Sequence, residues 1–267
     1  MKNLAGLYIQ QFKTTFAATL QYRASLFIWM IGQVLEPLVY LVVWSTVADS
    51  RGGSVGGYTT SQFAAYFIVF MLVNQLTYTW VMYEYEYRVR EGLLSSALLR
   101  PVHPIHADIA ENISSKVISL PLIMIVAAAL ALIFRPTAVL QGWAVFVFFP
   151  AVFLAFLIRF LVEWMLAQAA FWTTRVGAIN QVYFVLVLFL SGQLAPLSLF
   201  PQPIQLLASV LPFHWMIGFP VELILGHLTP LQALTGVGVQ LAWLIASLVL
   251  VRIVWRAGIR IYTAVGA

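Results

Sequence analysis

Six stretches of this chain are long and apolar enough to cross a lipid bilayer, and that constrains its fold more than any other feature. Spanning a hydrocarbon core of about 30 Å takes roughly 20 residues at about 1.5 Å of rise each. The segments are Ser25–Ala48, Gln62–Met82, Ile113–Phe134, Gly142–Ala169, Gly177–Leu194 and Leu231–Val251. Only 9% of the 267 residues are charged and 62% are hydrophobic, which excludes an ordinary soluble domain. The expected fold is therefore all-α, a single membrane domain over 1–267. No cysteine is present, so disulfides, thiol nucleophiles and cysteine metal sites are excluded. The first apolar run reads as a retained span, because no small-residue cleavage site ends it.

The net charge of +5 is expected to report orientation, not affinity for nucleic acid. Lys2, Lys13, Arg23, Arg88, Arg90, Arg100, Lys116, Arg175, Arg252, Arg256 and Arg260 fall on one side of the six spans. Arg51 and Arg135 fall on the other. Cationic loops stay in the cytoplasm, so both termini are expected there. Before the first span, Leu4, Tyr8, Phe12, Phe16 and Leu20 recur every fourth residue, which predicts an amphipathic helix over 1–23 lying in the interface. The alternative is a soluble extension of the first span.

Three connections carry further signals. "DSRGGSVGGYTT" reads as a flexible loop, with Thr59 and Gln62 spaced as a capping box for the second span. The cytoplasmic loop 83–112 opens with Glu84/Arg88 and Glu86/Arg90 at i, i+4, which extends the second span as a helix. Gly92 then permits a bend, "LLSSALL" makes a short helix with Leu94, Ala97 and Leu98 on one face, and Pro101 after Arg100 stops it. Such an element suits a groove on a soluble partner, or it caps the bundle at the interface. The segment 195–230 is apolar yet holds Pro196, Pro201, Pro203, Pro212, Pro220 and Pro230, so it cannot be one smooth span. Two short helices, "PIQLLASVL" ending at Pro212 and "HWMIGFPVELILG" ending at Gly226, are expected to dip into the outer leaflet and to pack against the bundle or a partner.

Polar groups inside the spans are the candidate site. Gln33, Glu36, Tyr40 and Trp44 share one face of the first span, bent at Pro37. Glu36 is the sharpest of them, since an ionisable group in lipid is costly. It has three readings: contact with a cationic or hydroxylated solute, pairing with Arg159, or pairing with a partner subunit. Asn74, Gln75, Thr77 and Tyr78 in the second span, Asn180 and Gln181 near the fifth, and Gln240, Trp243 and Ser247 in the sixth serve a pathway or interhelical bonding. Arg159 and Glu163 sit one turn apart and are expected to neutralise each other. Ser191 with His214 lacks the glycine context of a nucleophilic serine, because Phe189 stands where glycine is needed. His103, His106, Asp108 and Glu111 make a weak metal set, broken by Pro104. No internal repeat is evident.

The runs "REGLLSSALLRPVHPIH" and "FLSGQLAPLSLFPQPIQLLASVLPFHWMIGFPVELILG" resemble the permease subunits of ATP-binding-cassette exporters of the type 2 class. The resemblance spans the chain and implies an N-terminal elbow helix, six spans, re-entrant helices before the sixth, and a bacterial plasma-membrane location. It also implies that Glu91, Gly92, Leu93, Leu94, Ala97, Leu98, Arg100 and Pro101 form the coupling helix that docks on an ATPase. No glycine is followed by lysine, so the chain has no phosphate-cradling P-loop. ATP and Mg are thus expected on a separate ATPase, with no cofactor on this chain, and a second permease, identical or a sister, is expected to complete the pathway. An ion-coupled carrier using Glu36 as a proton site, and a membrane-embedded assembly factor, are the competing functions.

Overall fold

The computed structural model describes residues 4–138, 140–173 and 176–262, all-α apart from one two-stranded hairpin. Lys2 and Arg175, both counted on the basic side, lie outside the described residues. The first helix, α1 (Leu4–Gln21), is separated by a turn at Tyr22 from α2 (Arg23–Ser50). It packs through Leu7, Gln11, Thr15 and Thr19 and leaves Phe12, Phe16 and Leu20 exposed. The apolar stripe therefore faces away from the protein, as a helix lying against lipid requires.

Past Ser50 the glycine-rich segment forms a hairpin in place of the expected flexible loop, with Ser54 opposite Thr59 and Val55 opposite Tyr58. Gly56 and Gly57 both take positive φ (56° and 88°), the backbone that a tight two-residue turn demands. The expected capping box is present: Thr59 Oγ1 accepts from Gln62 N at 3.4 Å and Thr59 N donates to Gln62 Oε1 at 2.9 Å. It opens α3 (Thr60–Thr77). The same device, unnoticed in the sequence, opens α12 (Pro230–Gly258) through Thr229 and Gln232.

The second span is not one smooth helix. It halts at Thr77, passes through Tyr78, Thr79 and Trp80 outside helical conformation, Tyr78 having φ −55° and ψ 140°, and resumes as α4 (Val81–Arg90). The hairpin helix α5 (Leu94–Leu98) leads into α6 (Ile105–Phe134), then α7 (Gly142–Ala167), which tightens to a 3-10 turn through Phe171. Five helical stretches, Phe27–Ser50, Thr60–Arg90, Ile105–Phe134, Gly142–Phe171 and Pro230–Gly258, are long and apolar enough to cross a membrane. The fifth expected span, Gly177–Leu194, is a helix of 15 residues, α8 (Val176–Leu190), which is shorter than a full crossing. Of the long stretches Thr60–Arg90 is the most enclosed, two-thirds of its apolar window being buried. Its α3 part packs against α2, α6, α7 and the short helices described next.

Between α8 and α12 the proline-rich segment makes a 3-10 turn (Leu197–Leu199) and three helices, α9 (Gln202–Val210), α10 (Pro212–Met216) and α11 (Gly218–Ile224). The expected second helix is split at Ile217, whose φ and ψ of −138° and −59° are not helical. Its prolines begin elements: Pro196 and Pro201 stand at N-caps, Pro212 at the first helical position, and Pro220 in the first turn of α11. There a missing N–H costs nothing, because those donors have no partner within the helix. Helices α10 and α11 are buried against α7, and Gly236 of α12 lies so close to the Phe219 ring that a Cβ would sit 2.1 Å from it. Substituting Gly236→Leu should destabilise the fold by about 1–3 kcal/mol through overpacking. Gly238→Leu, with open space around it, should leave the thermal midpoint of the purified protein near wild type.

Candidate functional site

The break after Thr77 is where the polar residues of the spans converge. Arg159 Nε of α7 donates to Glu163 Oε1 at 2.9 Å, and both side chains are almost fully buried. The guanidinium also donates to Asn74 Oδ1 at 2.8 Å and Thr77 Oγ1 at 3.1 Å. Glu163 accepts from Tyr183 Oη at 2.8 Å and from the Thr79 hydroxyl. The carbonyl of Tyr78, freed by the break, accepts from Lys116 Nζ of α6. Lys116, expected as a cytoplasmic-side charge, thus points inward, where its ammonium also lies 4.9 Å from the Phe156 ring centre. The expected Arg159–Glu163 pair is formed, Thr79 and Tyr183 are its unforeseen partners, and Lys116 caps the neighbouring Tyr78 carbonyl.

In front of this node is a cavity of about 250 Å³ lined by Gln33, Glu36, Asn74, Tyr78, Arg159 and Gln193, among others. Asn74 Nδ2 reaches Gln33 Oε1 at 3.4 Å. Glu36 does not pair with Arg159, whose charge is matched by Glu163. Its Oε1 accepts from Gln193 at 2.6 Å and Tyr40 Oη at 3.3 Å, and the side chain is exposed in the single chain. Pro37 lies inside α2 without interrupting it. The arrangement offers a carboxylate, amides and a phenol to a solute, with a guanidinium behind them. Gln240 stands elsewhere: its Nε2 donates to the Ala151 and Trp215 carbonyls at 3.0 and 2.9 Å, tying α12 to α7 and α10.

At the end that carries the basic residues, the hairpin is fixed from both sides. Gly92 takes φ 70° at the bend. Arg88 binds Glu84, Asp108 and, at 3.5 Å, Glu111, while Trp164 Nε1 donates to Asp108 at 2.9 Å. Glu86, expected to pair with Arg90, makes no ion pair among the described residues; Arg90 turns to Glu91 at 3.2 Å. Leu94 is buried and Ala97 and Leu98 pack inward, so the face read from spacing holds the hairpin on its own protein. The surface it presents outward is Leu93, Leu99 (89% exposed), Glu91 and Arg100, with Pro101 also exposed. Beneath it Tyr85, His103, Trp164, Phe171, Trp255 and Tyr262 form an aromatic block, with the His103 and Trp255 ring centres 4.6 Å apart. Burial and the neighbouring His106 hold the His103 imidazole below its ordinary pKa, so it stacks as a neutral ring.

The enzymatic readings gain nothing from this geometry. Ser191 Oγ and His214 Nδ1 are buried with no hydrogen-bond partner, and no bond joins them among the described residues. Asp108 and Glu111 are held by Arg88, and no metal-holding cluster occurs among the described residues.

Together these features define a multi-pass membrane protein with a polar cavity inside its helical bundle. The family model described as "ABC-2 family transporter protein" matches residues 34–266, and the chain belongs to that family. It is a permease, the membrane component of an ABC transporter. No curated protein matches the chain.

Removing one partner of the buried pair leaves the other charge stranded. Arg159→Met should therefore cost about 3–5 kcal/mol, as a fall in thermal midpoint in detergent. The double variant Arg159→Met/Glu163→Gln should be less damaged than Arg159→Met alone.

Proposed function

We propose that this chain is the transmembrane half of an ATP-driven exporter that moves an amphipathic or lipid-like solute outward. The observation that carries the reading is the hairpin: an outward apolar tip at Leu93 and Leu99 on a loop whose base is tied by Arg88 of α4 to Asp108 of α6 and whose α5 is tied by Ser95 to Tyr262, just beyond α12. Two leucines alone do not make a large apolar patch; what supports docking is that Leu93 and Leu99 stand outward together at the tip of a loop fixed at its base. A separate ATPase, holding ATP and Mg, is the partner that the family reading supplies, and α5 is the coupling helix.

In this reading α1 is the elbow in the cytoplasmic interface and α8 is the fifth of six spans, completed by the residues after Leu190. The short helices α9 to α11 re-enter from the outer side, α10 and α11 covered by α7 and α12 and α9 packed on α8 and α10. Both termini are cytoplasmic in a bacterial plasma membrane. Described lysines and arginines support that sidedness, since Arg51 and Arg135 sit at the end that carries the two-stranded turn Ser54–Thr59 and the loop cations Arg88, Arg90 and Arg100 sit by α5. Exposed Glu36 supports a second permease, because a carboxylate on a span is costly against hydrocarbon and needs protein or water beside it. The pathway then runs between two permeases past Glu36, Gln33, Tyr40 and Asn74. Closure of two ATPases would carry α5, and α4 and α6 with it, as a rigid body.

Placing aspartate at both Leu93 and Leu99 should abolish copurification with the ATPase while the permease still elutes as a folded species. Retained association would remove the docking role. Glu36→Gln should lower ATP-dependent transport in proteoliposomes by about tenfold, equivalent to about 1.4 kcal/mol, with assembly intact. Gradient-driven uptake by the permease alone would instead favour the carrier reading, with Glu36 as the proton site.

A further inference from the structure

A second cavity, of about 420 Å³, lies apart from the Glu36 site, between the end of α1, the start of α2, the Tyr78–Trp80 break and the first turns of α6. Its walls are aromatic: Trp29 and Tyr78 have ring centres 6.0 Å apart, Tyr78 and Trp80 6.3 Å, and Tyr22 closes one side. Its rim is acidic. Glu84 and Glu111 line it, and together with Asp108 behind them they share the single guanidinium of Arg88, so three carboxylates face one cation. The wall also carries the Lys116 ammonium, held by the Tyr78 carbonyl and the Phe156 ring, so Glu84, Asp108 and Glu111 exceed Arg88 and Lys116 by one formal negative charge.

An independent observation points to a hydrogen-bond donor as the occupant. Gln75 is 4% exposed and lines this cavity; its Nε2 donates to Ser119 Oγ at 2.7 Å, yet its Oε1 accepts from nothing among the described residues. A buried amide oxygen without a donor is costly, and an entering N–H group would satisfy it. Aromatic faces, surplus carboxylate and an orphan acceptor together select an ammonium group. The cavity is bounded by α1, which turns its apolar stripe outward, so an attached alkyl tail can remain in the bilayer.

We infer that this cavity binds the ammonium head of an amphiphile, held by Glu111 and Glu84 at the rim, the Trp29, Tyr78 and Trp80 rings, and Gln75 Oε1. Tyr78 lines both cavities, so the site is placed to load the Glu36 pocket. That last step rests on the export reading; binding itself does not.

The test is equilibrium binding to the purified permease in detergent, without ATPase, read by native mass spectrometry. The probes are a short-chain phosphatidylethanolamine, the matching phosphatidylglycerol, which keeps the phosphate and lacks the ammonium, and dodecylamine, which has only the ammonium. Phosphatidylethanolamine or dodecylamine should bind at least tenfold more tightly than phosphatidylglycerol. Preference for the lipid supports a resident-lipid site, and preference for dodecylamine supports a solute entry site. Glu111→Gln and Trp80→Leu should each weaken ammonium binding at least tenfold at an unchanged melting temperature, and Glu111→Asp should retain most of it. Equal binding of phosphatidylglycerol, or no effect of Glu111→Gln, overturns the inference. Loss of binding in Glu36→Gln but not Glu111→Gln places the ligand in the other cavity, which overturns this site and leaves the export reading standing.

Discussion

The buried pair between Arg159 and Glu163 is the interaction on which the rest of the structure depends. A guanidinium and a carboxylate removed from water are tolerated only with their remaining donors and acceptors filled. Asn74, Thr77, Thr79 and Tyr183 fill them, and Thr79 can do so only because the second span is interrupted at Tyr78. Broken backbone at membrane depth needs protein around it. Lys116 supplies the donor for the exposed carbonyl. Pair and break therefore require each other, and their meeting point forms the back of one cavity and, through Tyr78, the wall of a second.

The same break divides the second span mechanically. Above it α3 is packed on all sides; below it α4 is tied to α6 through Arg88 and Asp108 and to α7 by the Tyr85 ring against Trp164. Ser95 of α5 hydrogen-bonds Tyr262 beyond α12 at 3.0 Å, and the aromatic block fills the space between. A push on the hairpin tip would thus reach α4, α6, α7 and α12 together. The residues that change direction at the break are the ones that line the polar cavities, which is how motion at the base could alter a site inside the bundle.

Five of the six expected spans, the outward apolar stripe of α1, the capping box at Thr59 and the hairpin limits at Gly92 and Pro101 were legible because each follows from local pattern: apolar length, periodicity or an obligate backbone residue. The Arg159–Glu163 pair was legible for the same reason, being one turn apart. What escaped was tertiary. Lys116 reads as one more cytoplasmic cation until α6 is seen to aim it at a carbonyl three helices' worth of sequence away. Glu36 is matched by Gln193, 157 residues later, which no spacing rule finds. The inward turn of Leu94 and Leu98 was hidden because a five-residue helix has two apolar faces here, and only packing decides which is outside. The interruption at Tyr78 carries no proline or glycine signal, since polar partners on other helices create it.

The central claim is that the Glu36 cavity is a transport site whose access changes when a separate ATPase acts on the hairpin. Gly32 lines that cavity, has open space around a built Cβ, and belongs to a chain with no cysteine. A Gly32→Cys permease, reconstituted with its ATPase, can be labelled by a membrane-impermeant maleimide applied from either face. The account predicts labelling from the cytoplasmic face without nucleotide and from the outer face when ATP is trapped; the same labelling in both states would contradict it.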